Sequence, residues 1–302
     1  MKTTQLAPQS AAAHNNLGAF LRDQGEHDHA IVSLRHATEL EPGLRQAQEN
    51  LAATYFETGH IEESVDVYEQ LVAMPGSDAA AHHAYGNALM AAGNAVEAIG
   101  QYRRAIKLDP ERANARWALA MAQLRPICDD VRQVEDSRLN FVRAISELDA
   151  WFTAERLTLG SNAVGSTQPF YIAYHAQNNL ALLESYGRLC GRLTRSVHSP
   201  LAQVAQSQSK PRKLRVGFVS AQVHDHSVWS AITKGWIQHL DSSRFELYLF
   251  HLGQHGDDET AWARLKVHQY IGTPQTLAAW ANVIADAQLD ALIYPEIGMH
   301  TV

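Results

Sequence analysis

Leu17-Gly18-Ala19-Phe20-Leu21-Arg22-Asp23-Gln24-Gly25 decides how the chain is read, because its pattern returns 34 residues later and again 34 after that. Gly25, Gly59 and Gly93 keep this spacing. So do Ala30, Ser64 and Ala98, then Leu34, Tyr68 and Tyr102, then Ala37, Leu71 and Ala105. Pro8, Pro42 and Pro110 hold the same register, and Pro75 misses it by one. A fixed internal period marks a stack of equivalent supersecondary units. Within the first unit, Leu17, Gly18 and Leu21 fall on one helix, Gly25 marks a turn, and Ala30, Leu34 and Ala37 form the stripe of a second helix. Small residues at the Gly18 and Ala30 positions let two helices approach closely. The larger Leu34, Tyr68 and Tyr102 fill the space between layers, and Pro stops the second helix.

This spacing, with its Leu-Gly, Ala and Pro positions, resembles the tetratricopeptide repeat. Three full repeats are predicted over 11–44, 45–78 and 79–112, with a partial fourth from Ala113, so residues 1–125 are expected to form an α-solenoid. The first helix of each pair lines the concave face of such a stack. Asn16 and Asn50 occupy equivalent sites there, just before the Leu. An Asn pair so placed can grip an extended protein or peptide segment by its backbone amides. Ala84 and Ala118 hold the next two equivalent positions, so the ladder is short, and Asn merely tolerated on a solvated face is the alternative.

The whole 302-residue chain is constrained by composition. With 46% hydrophobic residues it can build a packed core, and its length allows about two domains. A formal charge of -7 and a pI near 6.1 argue against a nucleic-acid partner, which would call for clustered Lys and Arg. No run approaches the ~20 apolar residues that span a bilayer, so no membrane association is expected. Met1 to Ser10 carries no secretory pattern, and the two cysteines, Cys128 and Cys190, read as reduced thiols; the expected compartment is the cytoplasm.

After Ala113 the period fails. Residues 126–205 are predicted as a helical connector. Helical spacing runs from Trp117 to Trp151 with a break at Arg125-Pro126, and another helix is expected from Asn179 to Thr194. Gln168 to Tyr174 is dense in aromatics and is expected to form a buried clamp. A polar linker, 203–213, leads into a segment of different character, 206–302. There, Leu214–Ser220, Phe245–Leu252, Tyr270–Ile271 and Ala291–Tyr294 read as strands. The helical stretches around Ala231–Leu240, Asp258–Val267 and Leu277–Ala287 separate them, as in the βαβ units of a doubly wound α/β sheet.

Ligands of an open parallel sheet bind at the carboxyl ends of its strands. The loop after the first strand, Ser220-Ala221-Gln222-Val223-His224-Asp225-His226-Ser227-Val228-Trp229-Ser230, is the most polar stretch of this half. Three readings compete for its histidines. A metal pair at His224 and His226 lacks the third and fourth ligands of a zinc site. One imidazole could serve as a general base near neutral pH. Finally, in a chain with 16 His, two neighbours can be plain surface. No glycine-rich phosphate fingerprint follows the strand.

A tetratricopeptide array, a connector with Pro169-Phe170-Tyr171, then Arg215-Val216-Gly217-Phe218-Val219-Ser220 with a His six residues on, resembles the O-GlcNAc transferase/SPINDLY family of glycosyltransferases. Asp225-His226-Ser227-Val228-Trp229 and Pro295-Glu296-Ile297-Gly298-Met299 are similar to its bacterial branch. The resemblance implies a GT-B fold of two Rossmann-like lobes with the active site between them. It further implies inverting, metal-independent transfer of a sugar from a nucleotide donor, UDP-GlcNAc in the type reaction, to Ser or Thr of proteins, with no other cofactor. His226 matches the family's active-site histidine, proposed there as a general base, and His224 matches no such position. Ser227 departs from the Pro that follows the histidine in eukaryotic members. The family's second lobe, which holds the nucleotide, has no counterpart before Val302. The chain is therefore expected to be a fragment carrying an incomplete first lobe, inactive by itself and binding nucleotide sugar only with the missing lobe. The competing expectation is a non-catalytic scaffold. Glu296 lies at a strand end and His300 near the last residue, and neither receives a role.

Overall fold

The computed structural model describes residues 8–160, 162–197, 212–253, 256–273 and 276–295. The chain divides into two compact units, Met1–Thr194 and Arg195–Val302.

In the first unit, helices α1 (Ala11–Asp23) and α2 (His27–Leu40) pack together. So do α3 (Arg45–Glu57) and α4 (Ile61–Ala73), and α5 (Ala79–Ala91) and α6 (Ala95–Leu108), while α7 (Ala113–Met121) packs on α6. The periodic residues explain the pairing. A Cβ on Gly18 would lie 2.5 Å from Leu34 Cγ, and one on Gly86 2.5 Å from Tyr102 Cε1, so these helices touch where no side chain intervenes. Ala30, Ala98 and Ser64 are fully buried; the Ser64 hydroxyl donates to the Ala52 carbonyl at 2.9 Å, so its burial leaves no unpaired group. Gly25, Gly59 and Gly93 have φ of +77°, +79° and +84°. That left-handed step lets the next amide reach back over the helix end. Glu26 N–H donates to Leu21 O at 2.9 Å, His60 to Tyr55 at 2.9 Å and Asn94 to Leu89 at 2.8 Å.

Beyond the repeats, α8 (Val131–Trp151), α9 (Leu157–Gly160) and α10 (Leu180–Val197) build a second core with α7 around Trp117, Phe141, Phe152, Leu189 and Leu193. The Trp117 indole N–H donates to Thr167 O at 2.8 Å, so even its one polar atom is satisfied. The aromatic clamp expected at 168–174 forms only in part: Pro169 is buried and Tyr171 packs on this core. Phe170–Tyr174 is a 3₁₀ turn in which Ile172 is buried, while Phe170 and Tyr174 are 59% and 71% exposed and pack edge-on against each other. At about three residues per turn, so short a segment directs Tyr171 and Ile172 onto the core and leaves its ends in solvent.

The second unit holds a four-stranded sheet, all pairs parallel, in the order β3-β2-β1-β4. Its strands are β1 (Leu214–Ser220), β2 (Phe245–His251), β3 (Gln269–Ile271) and β4 (Ala291–Ile293). Helices α11 (Lys234–His239), α12 (Asp258–Lys266) and α13 (Leu277–Asp286) connect them. Phe218, Leu249, Trp229, Ile237 and Ala263 form the core on one face, under α11 and α12; Val219, Phe250 and Trp280 form that on the other, under α13. Strands buried on both faces explain the near-continuous apolar runs of β1 and β2. Gly217 is small because a Cβ there would collide with Leu289 beside β4. Successive strands add outward from β1 through β3, and β4 then joins on the far side of β1. The order therefore reverses between β1 and β4, and it is at such a reversal that the carboxyl ends open into a crevice.

Candidate functional site

His226 ends the loop that leaves β1 at this reversal. Helical backbone begins at Ser227 and passes through a π turn, Trp229–Thr233, into α11. The His226 carbonyl accepts the first helical bond, from Ser230 N–H at 2.9 Å, and its Nδ1 accepts from Val228 N–H at 3.2 Å. His226 is thus the cap of this helix, its imidazole doing what a Ser or Asp side chain does elsewhere.

Two anchors, Thr260 and Asp257, hold the loop from the other side. His251 ends β2 beside Ala221. The Thr260 hydroxyl donates to the Val223 carbonyl. Asp257 Oδ2 accepts from Asp225 N–H at 2.8 Å, while its Oδ1 caps α12 through Thr260 N–H at 3.1 Å. The residues between the anchors form a row. His224 Nε2 donates to Gln222 Oε1 at 2.9 Å, and the His224 and His226 rings meet edge-on with centroids 5.6 Å apart. Gln222, His224 and His226 are all half-buried. His224, read from the sequence as loop surface, is therefore a neighbour of His226. Trp229, fully buried, donates its indole N–H to Glu259 at 2.8 Å, and Lys234 Nζ lies 2.8 Å from the same carboxylate, which ties the helix after the loop to α12.

Electrostatics follow these bonds. The amide of Asp225, then those of α12's first turn, hold the Asp257 carboxyl below the usual carboxylate range. Lys234 does the same for Glu259, with help from Trp229. Burial pushes the His251 imidazole down; the Ala221 carbonyl opposes this without forming a full hydrogen bond, and Nδ1 pairs with Tyr270 Oη at 2.7 Å. On the facing lip of the crevice, Tyr294 follows β4 and is half-exposed. Glu296, His300 and most of the 295–299 motif lie outside the described residues, as does the linker over 203–213 up to 211.

In the first unit, Asn16 is exposed on α1 and Asn50 is half-buried on α3. It is Asn15, buried at 2%, whose Oδ1 accepts from Asn50 Nδ2 at 2.8 Å, while Arg22 Nη1 reaches Asn50 Oδ1 at 3.4 Å. The Asn50 amide thus serves the α1–α3 seam, a role invisible in a pattern that pairs only equivalent positions. Cys128 and Cys190 are half-buried free thiols, and burial raises the Cys190 pKa. Among the described residues, no group of three or more His, Cys, Asp or Glu is placed to hold a metal, and no helix is long and apolar enough to cross a membrane.

Residues 11–43 match one tetratricopeptide repeat model, and 49–113 and 86–125 match another. The first unit begins as a tetratricopeptide-repeat solenoid. No curated protein matches the chain by sequence. Among solved structures, it is similar to a mutant of the O-GlcNAc transferase of Thermobaculum terrenum, at 18% identity and a TM-score of 0.58. That match covers 93% of this chain and 45% of the transferase, so the chain spans less than half of that protein's length. It is also similar to YrrB, described as a TPR protein with an unusual peptide-binding site (16% identity, 66% of this chain and 95% of that one, TM-score 0.43). A third match is MamA of Desulfovibrio magneticus RS-1 (19% identity, 49% of this chain and 80% of that one, TM-score 0.42). At such identities the likeness is one of fold.

Proposed function

We propose that this chain is the acceptor-handling part of a protein O-linked glycosyltransferase resembling O-GlcNAc transferase. One observation carries the reading: a tetratricopeptide solenoid shares a chain with a parallel sheet whose strand order reverses beside a capping histidine. In this reading, residues 1–125 are the repeat domain, 126–205 the connector and 206–302 the first, Rossmann-like lobe of a GT-B pair. The solenoid holds a protein segment, and the β1–β4 rim receives its Ser or Thr hydroxyl beside His226. A nucleotide sugar, with UDP-GlcNAc as the probe to use, is the donor. Charge developing on the leaving diphosphate needs preorganised donors, which the reading assigns to a second lobe following this chain.

The test is transfer by the natural gene product, read as a hexosamine mass increment on protein or peptide acceptors. His226→Ala is expected to lower turnover by ~10²–10³-fold, the usual effect of removing one preorganised hydrogen-bonding group. Turnover within twofold of wild type removes His226 from the site. The second reading, a peptide-docking scaffold, draws on the exposed Asn16 and Phe20 of α1 and Phe56 of α3, which no transfer chemistry requires. Peptide binding by the natural gene product without any transfer from a panel of nucleotide sugars favours it.

A further inference from the structure

We propose that His226 meets its ligand as a hydrogen-bond donor through Nε2–H, and not as a proton-accepting base. This rests on the functional reading only in taking the β1 loop as the ligand-facing one. A neutral imidazole has one protonated nitrogen and one bare nitrogen, and the partner of either decides which is which. Val228 N–H is 3.2 Å from Nδ1 and can only donate. Nδ1 is therefore the bare nitrogen, and the proton resides on Nε2. Val228 is in the first turn of the helix beginning at Ser227, where an amide has no carbonyl of its own helix to bond. Moving the proton to Nδ1 would set two donors against each other and cancel the cap.

The surroundings resist rearrangement of the ring. It packs edge-to-face with His224, whose own Nε2 is engaged by Gln222 at 2.9 Å. The backbone on the near side is pinned by Asp257 through Asp225 N–H at 2.8 Å, and by Thr260 through the Val223 carbonyl. What remains for a ligand is an N–H, and its complement is an oxygen with free lone pairs. A nitrogen that already carries its proton cannot take one from an attacking hydroxyl, so proton removal falls to another group.

Two-bond proton–nitrogen correlation spectra of the ¹⁵N-histidine-labelled chain, taken where imidazoles are neutral, read the tautomer directly. The His226 pattern is identified by its loss in His226→Asn, whose side-chain oxygen still caps Val228 and so keeps the fold. The expected pattern has the proton on Nε2 and a bare Nδ1. A proton on Nδ1, or equal populations of the two forms, overturns the proposal. The measurement needs neither donor nor acceptor. Failure of sugar transfer with an Nε2–H pattern therefore sinks only the functional reading, and an Nδ1–H pattern sinks only this one.

Discussion

Polar groups of the solenoid are satisfied within a repeat or by the next one, whereas the loop after β1 depends on a helix elsewhere in its unit. Ser64 finds its acceptor at Ala52, 12 residues away, inside one repeat. The loop after β1 is held by Asp257 and Thr260, 32 and 37 residues from their partners Asp225 and Val223. A stack in which each unit bonds only within itself or to its neighbour confines damage locally. A loop pinned by another helix keeps its geometry only while strand, helix and loop are folded together. Rigidity at His226 is therefore a property of the whole second unit.

The largest expected effect separates the units. Trp229→Ala removes a fully buried indole and leaves Glu259 without that donor. It should cost ~3–5 kcal/mol, as large-to-small core changes do. Denaturant titration should then show the second unit unfolding early, with the solenoid's helical transition in place; one transition moving as a whole would break the comparison. Next is Gly59→Ala, which forces a Cβ into φ +79°. It should cost ~1–2 kcal/mol, all of it in the solenoid transition.

Asp257→Ala removes a helix cap and a loop anchor together. It should lower the stability of the second unit slightly and speed hydrogen exchange at Asp225 N–H while leaving solenoid amides unchanged. Exchange at Asp225 as slow as in wild type would show that the anchor is dispensable.

Smallest near neutrality is the pH response. Burial, and then the Arg112 charge, push the His83 pKa down to about 4. The unfolded chain takes up a proton from ~6.5 downward while the folded solenoid does not. The His83 contribution is whole above that pH and is lost as pH falls toward about 4. His251 acts with the same sign in the second unit. His83→Gln should flatten the solenoid's stability profile across this window, and an unchanged slope would assign the response elsewhere.

The same contrast governs what could be read in advance. Gly18, Gly25, Ala30 and Leu34 declare themselves by recurrence, and the β1 and β2 apolar runs by burial on two faces. The helix break at Arg125-Pro126 appears as the gap between α7 and α8. The anchors of the loop do not recur. Only Asp257-Asp258-Glu259-Thr260 carried a local trace of its role, as a cap spacing. Nothing local pairs Asn15 with Asn50, or predicts that Phe170 and Tyr174 stay at the surface, because such contacts depend on how neighbouring helices meet.

If the two units divide one reaction, they should move different constants. Steady-state transfer by the natural gene product tests this most directly, comparing the Asn16→Ala variant, whose side chain is exposed, with His226→Ala on one protein acceptor. The account predicts a raised acceptor KM with kcat retained for the solenoid variant, and a depressed kcat for His226→Ala. Both variants shifting the same constant, or His226→Ala turning over at the wild-type rate, would contradict it.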